Sequence, residues 1–187
     1  WEYSNMAVGL LGQALARRAG TSYEDLVKAR IAGPLGMGDT SITLRADQKA
    51  RLAPGHDSAL KAVANWDLPT FAGAGALRST MSDMITFLAA ELSAPTTPLQ
   101  RAMLAQRLPR RTTGLPGGEQ ALGWMVRKSD DGKEEVLWHN GATGGYRAFI
   151  AFNPATGRGV VVLSNTGTAG RVNDIGFNLL IGSPLLP

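Results

Sequence analysis

The chain has 187 residues, 44% of them hydrophobic and 18% charged, with a formal net charge of +4. That balance is enough to bury a core, so it excludes a disordered polymer and predicts one domain. There is no cysteine, and the two histidines, His56 and His139, lack ligand spacing, so disulfides, thiolate metal sites and a zinc centre are not expected.

No apolar run is long enough to cross a bilayer, so no membrane span is predicted. The chain opens on Trp1-Glu2-Tyr3, without an initiator Met, and reads as the continuation of something longer. Met6, Val8, Leu10, Leu11 and Leu15 repeat at helical spacing over 6–19, with Ser4 or Asn5 as N-cap and Gly20 as the stop. Thr21-Ser22-Tyr23-Glu24 reads as a capping box for a second helix, ended by Gly33-Pro34. Residues 35–44 form a turn-rich connector. Residues 45–78 are the least regular part, with a short helix near 47–52 and loops elsewhere.

Ser79-Thr80 cap a third helix, with Asp83 at the capping-box position and Met84, Ile85, Leu88 and Leu92 expected inside. A fourth short helix follows near 99–106, and 108–120 reads as an exposed loop. Arg107, Arg110 and Arg111, beside Pro109, lack interleaved aromatics, so they predict a solvated loop and no nucleic-acid partner.

From Ala121 the period changes. Residues 122–127, 135–139, 146–153 and 159–164 are runs of β-forming residues, joined by hairpin signals at Asp131-Gly132 and Pro154–Gly157. Short connections imply an antiparallel sheet. Val160-Val161-Val162-Leu163 predicts burial on both faces, and Val172, Ile175 and Leu179 place one face of a closing helix over the sheet. The fold class is α+β: helices over 1–120, an antiparallel sheet over 121–165 and a C-terminal helix over 170–182.

Three motifs carry chemistry. Tyr3-Ser4-Asn5 precedes a helix and holds a phenol and an amide two residues apart. A phenol can shuttle a proton, given nearby cations, and an amide can hold a carbonyl. His139-Asn140-Gly141-Ala142 follows a β run, with His139 expected at the strand's last residue and the Ala142 N–H as an oxyanion donor. Ser58-Ala59-Leu60-Lys61 matches Ser-x-x-Lys, but it lies in the irregular region beside Pro54 and Gly55 and reads as a chance match.

These pieces come in a set order: Tyr3-Ser4-Asn5 with its Leu-Leu-Gly helix, Pro34-Leu35-Gly36-Met37-Gly38-Asp39-Thr40, Gly123-Trp124, His139 through Tyr146, and Val162-Leu163-Ser164-Asn165. The set resembles the C-terminal half of the serine β-lactamase-like hydrolases, a group of class C β-lactamases, D-alanyl-D-alanine peptidases and esterases. The resemblance implies the β-lactamase/transpeptidase-like fold, an acyl-enzyme mechanism, no cofactor, and a periplasmic or secreted location. It assigns Tyr3 and His139 catalytic roles and gives Asn5, Asn140, Gly141 and Ala142 to the substrate, a small acyl compound (β-lactam, D-peptide or ester).

In that family Ser-x-x-Lys lies well before Tyr-x-Asn. The resemblance therefore implies a missing N-terminal half as partner, an unpaired sheet edge, and no activity in this chain alone. The third motif reads His-Asn-Gly where β-lactamases carry Lys-Thr-Gly, which shifts weight toward a peptidase or esterase. The competing expectation is a non-catalytic binding or structural module that kept the fold.

Overall fold

The computed structural model describes residues 2–108, 110–114, 118–128, 134–168 and 171–182. Helix α1 (Asn5–Ala19) begins where the Ser4 side chain accepts the Ala7 N–H and ends at Gly20, whose φ of 67° lets its N–H turn back to the last carbonyls. The apolar set that predicts this helix is not the set it buries. Gly9, Gly12 and Ala16 face inward, whereas Met6, Val8, Leu10, Leu11 and Leu15 are exposed. Glycine is required on the inner face: a Cβ on Gly9 would sit 2.7 Å from the Phe71 ring.

Helix α2 (Tyr23–Val27) starts one residue later than the capping-box reading, with Ser22 accepting the Asp25 N–H. Glu24 is drawn elsewhere. Its carboxylate accepts from the N–H groups of Ile42 and Thr43 and pairs with Lys28, tying the helix to the following loop. The chain also runs through Gly33-Pro34 instead of stopping there. A π-helical turn (Lys28–Ala32) leads into α3 (Gly33–Leu35), with Pro34 in the first turn, where its missing N–H costs little. Gly36, at φ 73°, closes it.

Helix α4 (Ala46–Arg51) is followed by irregular chain and one 3₁₀ turn (Ala72–Ala74). Helix α5 (Met81–Leu92) is capped by Thr80, as expected, but Asp83 accepts from the Asp39 N–H and the Thr40 hydroxyl. That contact accounts for the Gly38-Asp39-Thr40 motif: it docks the loop after α3 onto the start of α5. Ile85 faces outward, 53% exposed, and Phe87 packs in its place because the sheet meets α5 along the Phe87–Leu88–Leu92 side.

Among the described residues, six strands follow α6 (Pro98–Ala105): β1 (Arg111–Thr112), β2 (Gly118–Gln120), β3 (Met125–Lys128), β4 (Glu135–Thr143), β5 (Tyr146–Asn153) and β6 (Arg158–Ser164). They pair in sequence order, all antiparallel. The sheet thus reaches back into the stretch read as a loop, because Arg111 and Thr112 pair with Gln120 and Glu119. The third strand begins late: Gly123, at φ 83°, turns the chain before it. Trp124 then enters the core edge-on to Phe152, ring centroids 5.0 Å apart. The Asp131-Gly132 hairpin lies outside the described residues.

Helix α7 (Arg171–Ile181) covers one face of the sheet and α5 the other. Alternate side chains of β6 serve the two: Val161 packs toward Leu88, and Val160 and Val162 toward α7, while Leu163 stays partly exposed. The inward face of α7 is Val172, Gly176, Phe177 and Leu180; Leu179 points out, 50% exposed. The reason lies at Gly176, which seats the Phe149 ring so closely that a Cβ there would be 2.2 Å from it.

The basic cluster is also not a solvated loop. Arg107 is buried, donating from Nε and Nη2 to the Glu91 carboxylate at 3.0 and 2.7 Å and also to the Glu91 carbonyl. Arg110 pairs with Glu135, and Pro109 lies outside the described residues. Burial pushes the Glu91 carboxyl up to about 7, with Arg107 and Gln106 pulling it back down.

Candidate active site

A cleft of about 1050 Å³ opens where the start of α1 meets the upper half of β4. Tyr3, Asn5, His139, Asn140, Gly141 and Ala142 all line it. The N-cap geometry places the first two: Ser4 is extended, so the residues on either side of it lead into the helix along one wall. The ring of Tyr3 lies 6.2 Å from that of His139.

His139 is not at a strand end. It is fifth in the nine-residue strand β4, which continues through Asn140, Gly141 and Ala142, paired with Phe149, Ala148 and Arg147 of β5. Cross-strand pairing overrides the weak β-propensity of Asn and Gly. On its other side β4 is paired with β3 only from Glu135 to Trp138. Among the described residues, the β3-side edge from His139 to Thr143 is therefore open to the cleft. That edge presents backbone groups to an extended ligand.

Two glycines hold this edge in place. Gly144 and Gly145 form the β4–β5 turn, and Gly145 adopts φ 77°. They also fit under the irregular segment: a Cβ on Gly144 would lie 2.7 Å from Trp66, and one on Gly145 would lie 2.6 Å from Gly55. The Tyr146 hydroxyl reaches the Ala53 carbonyl at 2.7 Å and Asn65 Oδ1 at 2.8 Å. His56 is part of the same anchor, with its N–H on the Asn165 carbonyl and its Nδ1 at 3.2 Å from that oxygen.

The His139 ring is oriented by its Nδ1, which lies 2.7 Å from the Asn140 carbonyl. A carbonyl can only accept, so Nδ1 carries the proton, and Nε2 is left as acceptor in the neutral ring or as donor in the imidazolium. Asn140 Nδ2 donates to Asn173 Oδ1 at 3.3 Å, which links the strand to α7.

Sequence reasoning missed part of the wall. Trp66, Leu68 and Phe71 supply an apolar side, and Arg147 and Asn173 a polar one. Large aromatics in an irregular, loop-like stretch are the signal for the first group. Arg147 carries no signal beyond its place after the double glycine.

Ser58 and Lys61 do not join the cleft. They sit in one tight turn, with Asp57 Oδ1 accepting the N–H groups of Ala59 and Lys61 and Leu60 at φ 63°. Among the described residues no cluster of His, Asp or Glu could hold a metal ion, and no helix is long and apolar enough to cross a membrane.

Comparison with known proteins fits this geometry. The D-alanyl-D-alanine-carboxypeptidase/endopeptidase AmpH of Escherichia coli K12 is 29% identical, over 98% of this chain and 52% of its own length. A Pseudomonas fluorescens β-lactamase is 28% identical, over 87% of this chain and 54% of its own. The chain thus spans about half the length of the curated relatives it matches. Among solved structures, the class C β-lactamase of Rhodobacter sphaeroides superposes with TM-score 0.84 at 25% identity, covering 97% of this chain and 60% of that one. The β-lactamase/D-alanine carboxypeptidase of Pseudomonas syringae shares the fold with TM-score 0.86 at 20% identity, covering 98% and 60%. The family model described as Beta-lactamase matches residues 1–182, and this chain belongs to that family.

Proposed function

We propose that the chain forms the C-terminal portion of a serine hydrolase that works through an acyl-enzyme on a β-lactam, a D-alanyl peptide or an ester carbonyl. The observation that carries this reading is the meeting of Tyr3 and His139 on one cleft wall, beside an open strand edge.

In this reading the nucleophile belongs to a Ser-x-x-Lys segment preceding Trp1, packed over the exposed apolar side of α1. The serine Oγ attacks the carbonyl carbon while the Tyr3 phenolic oxygen takes its proton, and the same proton passes to the leaving group as the acyl bond breaks. The Ala142 N–H faces the developing oxyanion, and Asn5 holds a substrate carbonyl or amide. His139, with Nδ1 fixed by the Asn140 carbonyl, presents Nε2 to the reacting groups. Water then repeats the sequence on the acyl-enzyme, with Tyr3 again taking and returning the proton.

The test is turnover by the protein that carries upstream sequence joined to Trp1. A chromogenic cephalosporin, a peptide ending in D-alanyl-D-alanine and a p-nitrophenyl ester cover the three carbonyl classes. Hydrolysis of at least one, abolished by a serine-directed phosphonate, is expected. No hydrolysis of any would overturn the reading.

A further inference from the structure

Residues 53–65 bury little. Gly55 is buried, His56, Asp57 and Val63 are half-buried, and the rest are exposed, up to 68% at Leu60. Polar bonds give the segment its shape. The Val63 N–H donates to the Gly55 carbonyl and the Asp57 N–H to the Lys61 carbonyl, both at 2.9 Å, so an outgoing and a returning arm lie side by side. The outgoing arm is fastened to the chain after β6. Asn165 Nδ2 donates to the Pro54 carbonyl at 2.8 Å, and the Asn165 carbonyl accepts the His56 N–H at 3.0 Å.

The returning arm rests on the β4–β5 turn, where Trp66 sits against Gly144 and Val63 against Gly145, two residues with no side chain to grip it. Arg78 Nη2 holds its far end, donating to the Trp66 carbonyl at 3.3 Å. Between these points one atom, Tyr146 Oη, reaches both ends of the segment: the Ala53 carbonyl at 2.7 Å and Asn65 Oδ1 at 2.8 Å. Trp66, the next residue, lines both the cleft and a second cavity of about 670 Å³, which Asn65 and Tyr146 also line. A segment with few buried apolar contacts and exposed hydrogen bonds opens at lower cost than the core around it. From this juxtaposition we propose that residues 57–65 are a strap latched by the Tyr146 hydroxyl, whose opening turns Trp66 off Gly144 and joins the two cavities. His56, held by Asn165, and the Trp66 carbonyl, held by Arg78, are its pivots. The strap needs no chemistry in the cleft, so it stands or falls apart from the acyl-enzyme reading.

Residue-resolved amide hydrogen exchange tests the latch in the protein carrying upstream sequence. Tyr146→Phe keeps the ring under Gly55 and removes the hydroxyl. The Val63 amide, which joins the two arms, should then exchange about fivefold faster or more, the worth of one hydrogen bond, with the amides of β5 and β6 unchanged. Asn65→Ala reads the same bond without touching the β4–β5 turn and should also speed Val63. Adding it to Tyr146→Phe should speed Val63 no further, because both remove one contact. Acrylamide quenching of Trp66, taken as the difference from Trp66→Phe, should rise in both single variants. An unchanged Val63 amide, equal acceleration throughout β5 and β6, additive effects of the two substitutions, or unchanged quenching of Trp66 would each overturn the proposal.

Discussion

Tyr3 and His139 come from distant parts of the sequence, yet their rings lie 6.2 Å apart and tilted by 38°. The first stands in the extended residues just before the N-cap of α1 and the second in the middle of a strand. Tyr3→Phe keeps the ring contact and removes the hydroxyl. In the protein carrying upstream sequence it should lower kcat by about 10²–10⁴-fold with unchanged circular dichroism. A kcat within twofold of the parent would remove Tyr3 from the proton path.

Ser58→Ala should leave activity unchanged. The hydroxyl sits in a tight turn that does not line the cleft, and Lys61 is turned by Asp57 instead of lying one helical turn away. Steady-state rates on any substrate the protein accepts decide the matter. A loss beyond tenfold would revive the Ser-x-x-Lys match.

Gly176 is a packing requirement. The Phe149 ring, stacked near Trp138 and edge-on to Phe177, occupies the volume a methyl group would need. Gly176→Ala should destabilise the protein by about 1–3 kcal/mol in urea unfolding, since an overfilled core must push ring or helix aside. An unchanged midpoint would mean that α7 shifts freely on the sheet.

Two carboxylates set opposite pH limits on stability. Desolvation raises the Glu24 carboxyl, but hydrogen bonds from Lys28, Thr43 and Ile42 outweigh it and hold the group down to about 2. Its contribution is present above the ordinary 4.5 and is lost as pH falls toward 2. Glu91 is the reverse: burial pushes it up to about 7, so its contribution is full below 4.5 and fades as pH rises through 7. Unfolding midpoints measured across pH 2–8 should therefore fall off on both sides. Glu24→Gln should flatten the acid side alone, and an unchanged acid side would contradict the assignment.

Local rules made much of this fold legible. Ser4 and Gly20 mark the ends of α1, Thr80 starts α5, and short connections foretell the antiparallel pairing of β4, β5 and β6. What stayed hidden depended on contacts distant in sequence. Glu24 left its capping position for the 42–43 loop, and Arg107 found Glu91 on α5, which no local pattern records. Asn140 and Gly141 have low β-propensity, so β4 looked shorter than its pairing with β5 makes it. The six residues expected at the site were readable as motifs. Trp66, Phe71 and Arg147 were not, because an irregular loop and a neighbouring strand bring them to the cleft only after folding.

The most direct measurement is the site of covalent attachment. Incubating the protein that carries upstream sequence with a fluorescent penicillin, then mapping the adduct by tandem mass spectrometry, should place one label on a serine upstream of Trp1. Tyr3→Phe should slow its formation. A label on Ser58, or labelling at full rate without the Tyr3 hydroxyl, would contradict the account.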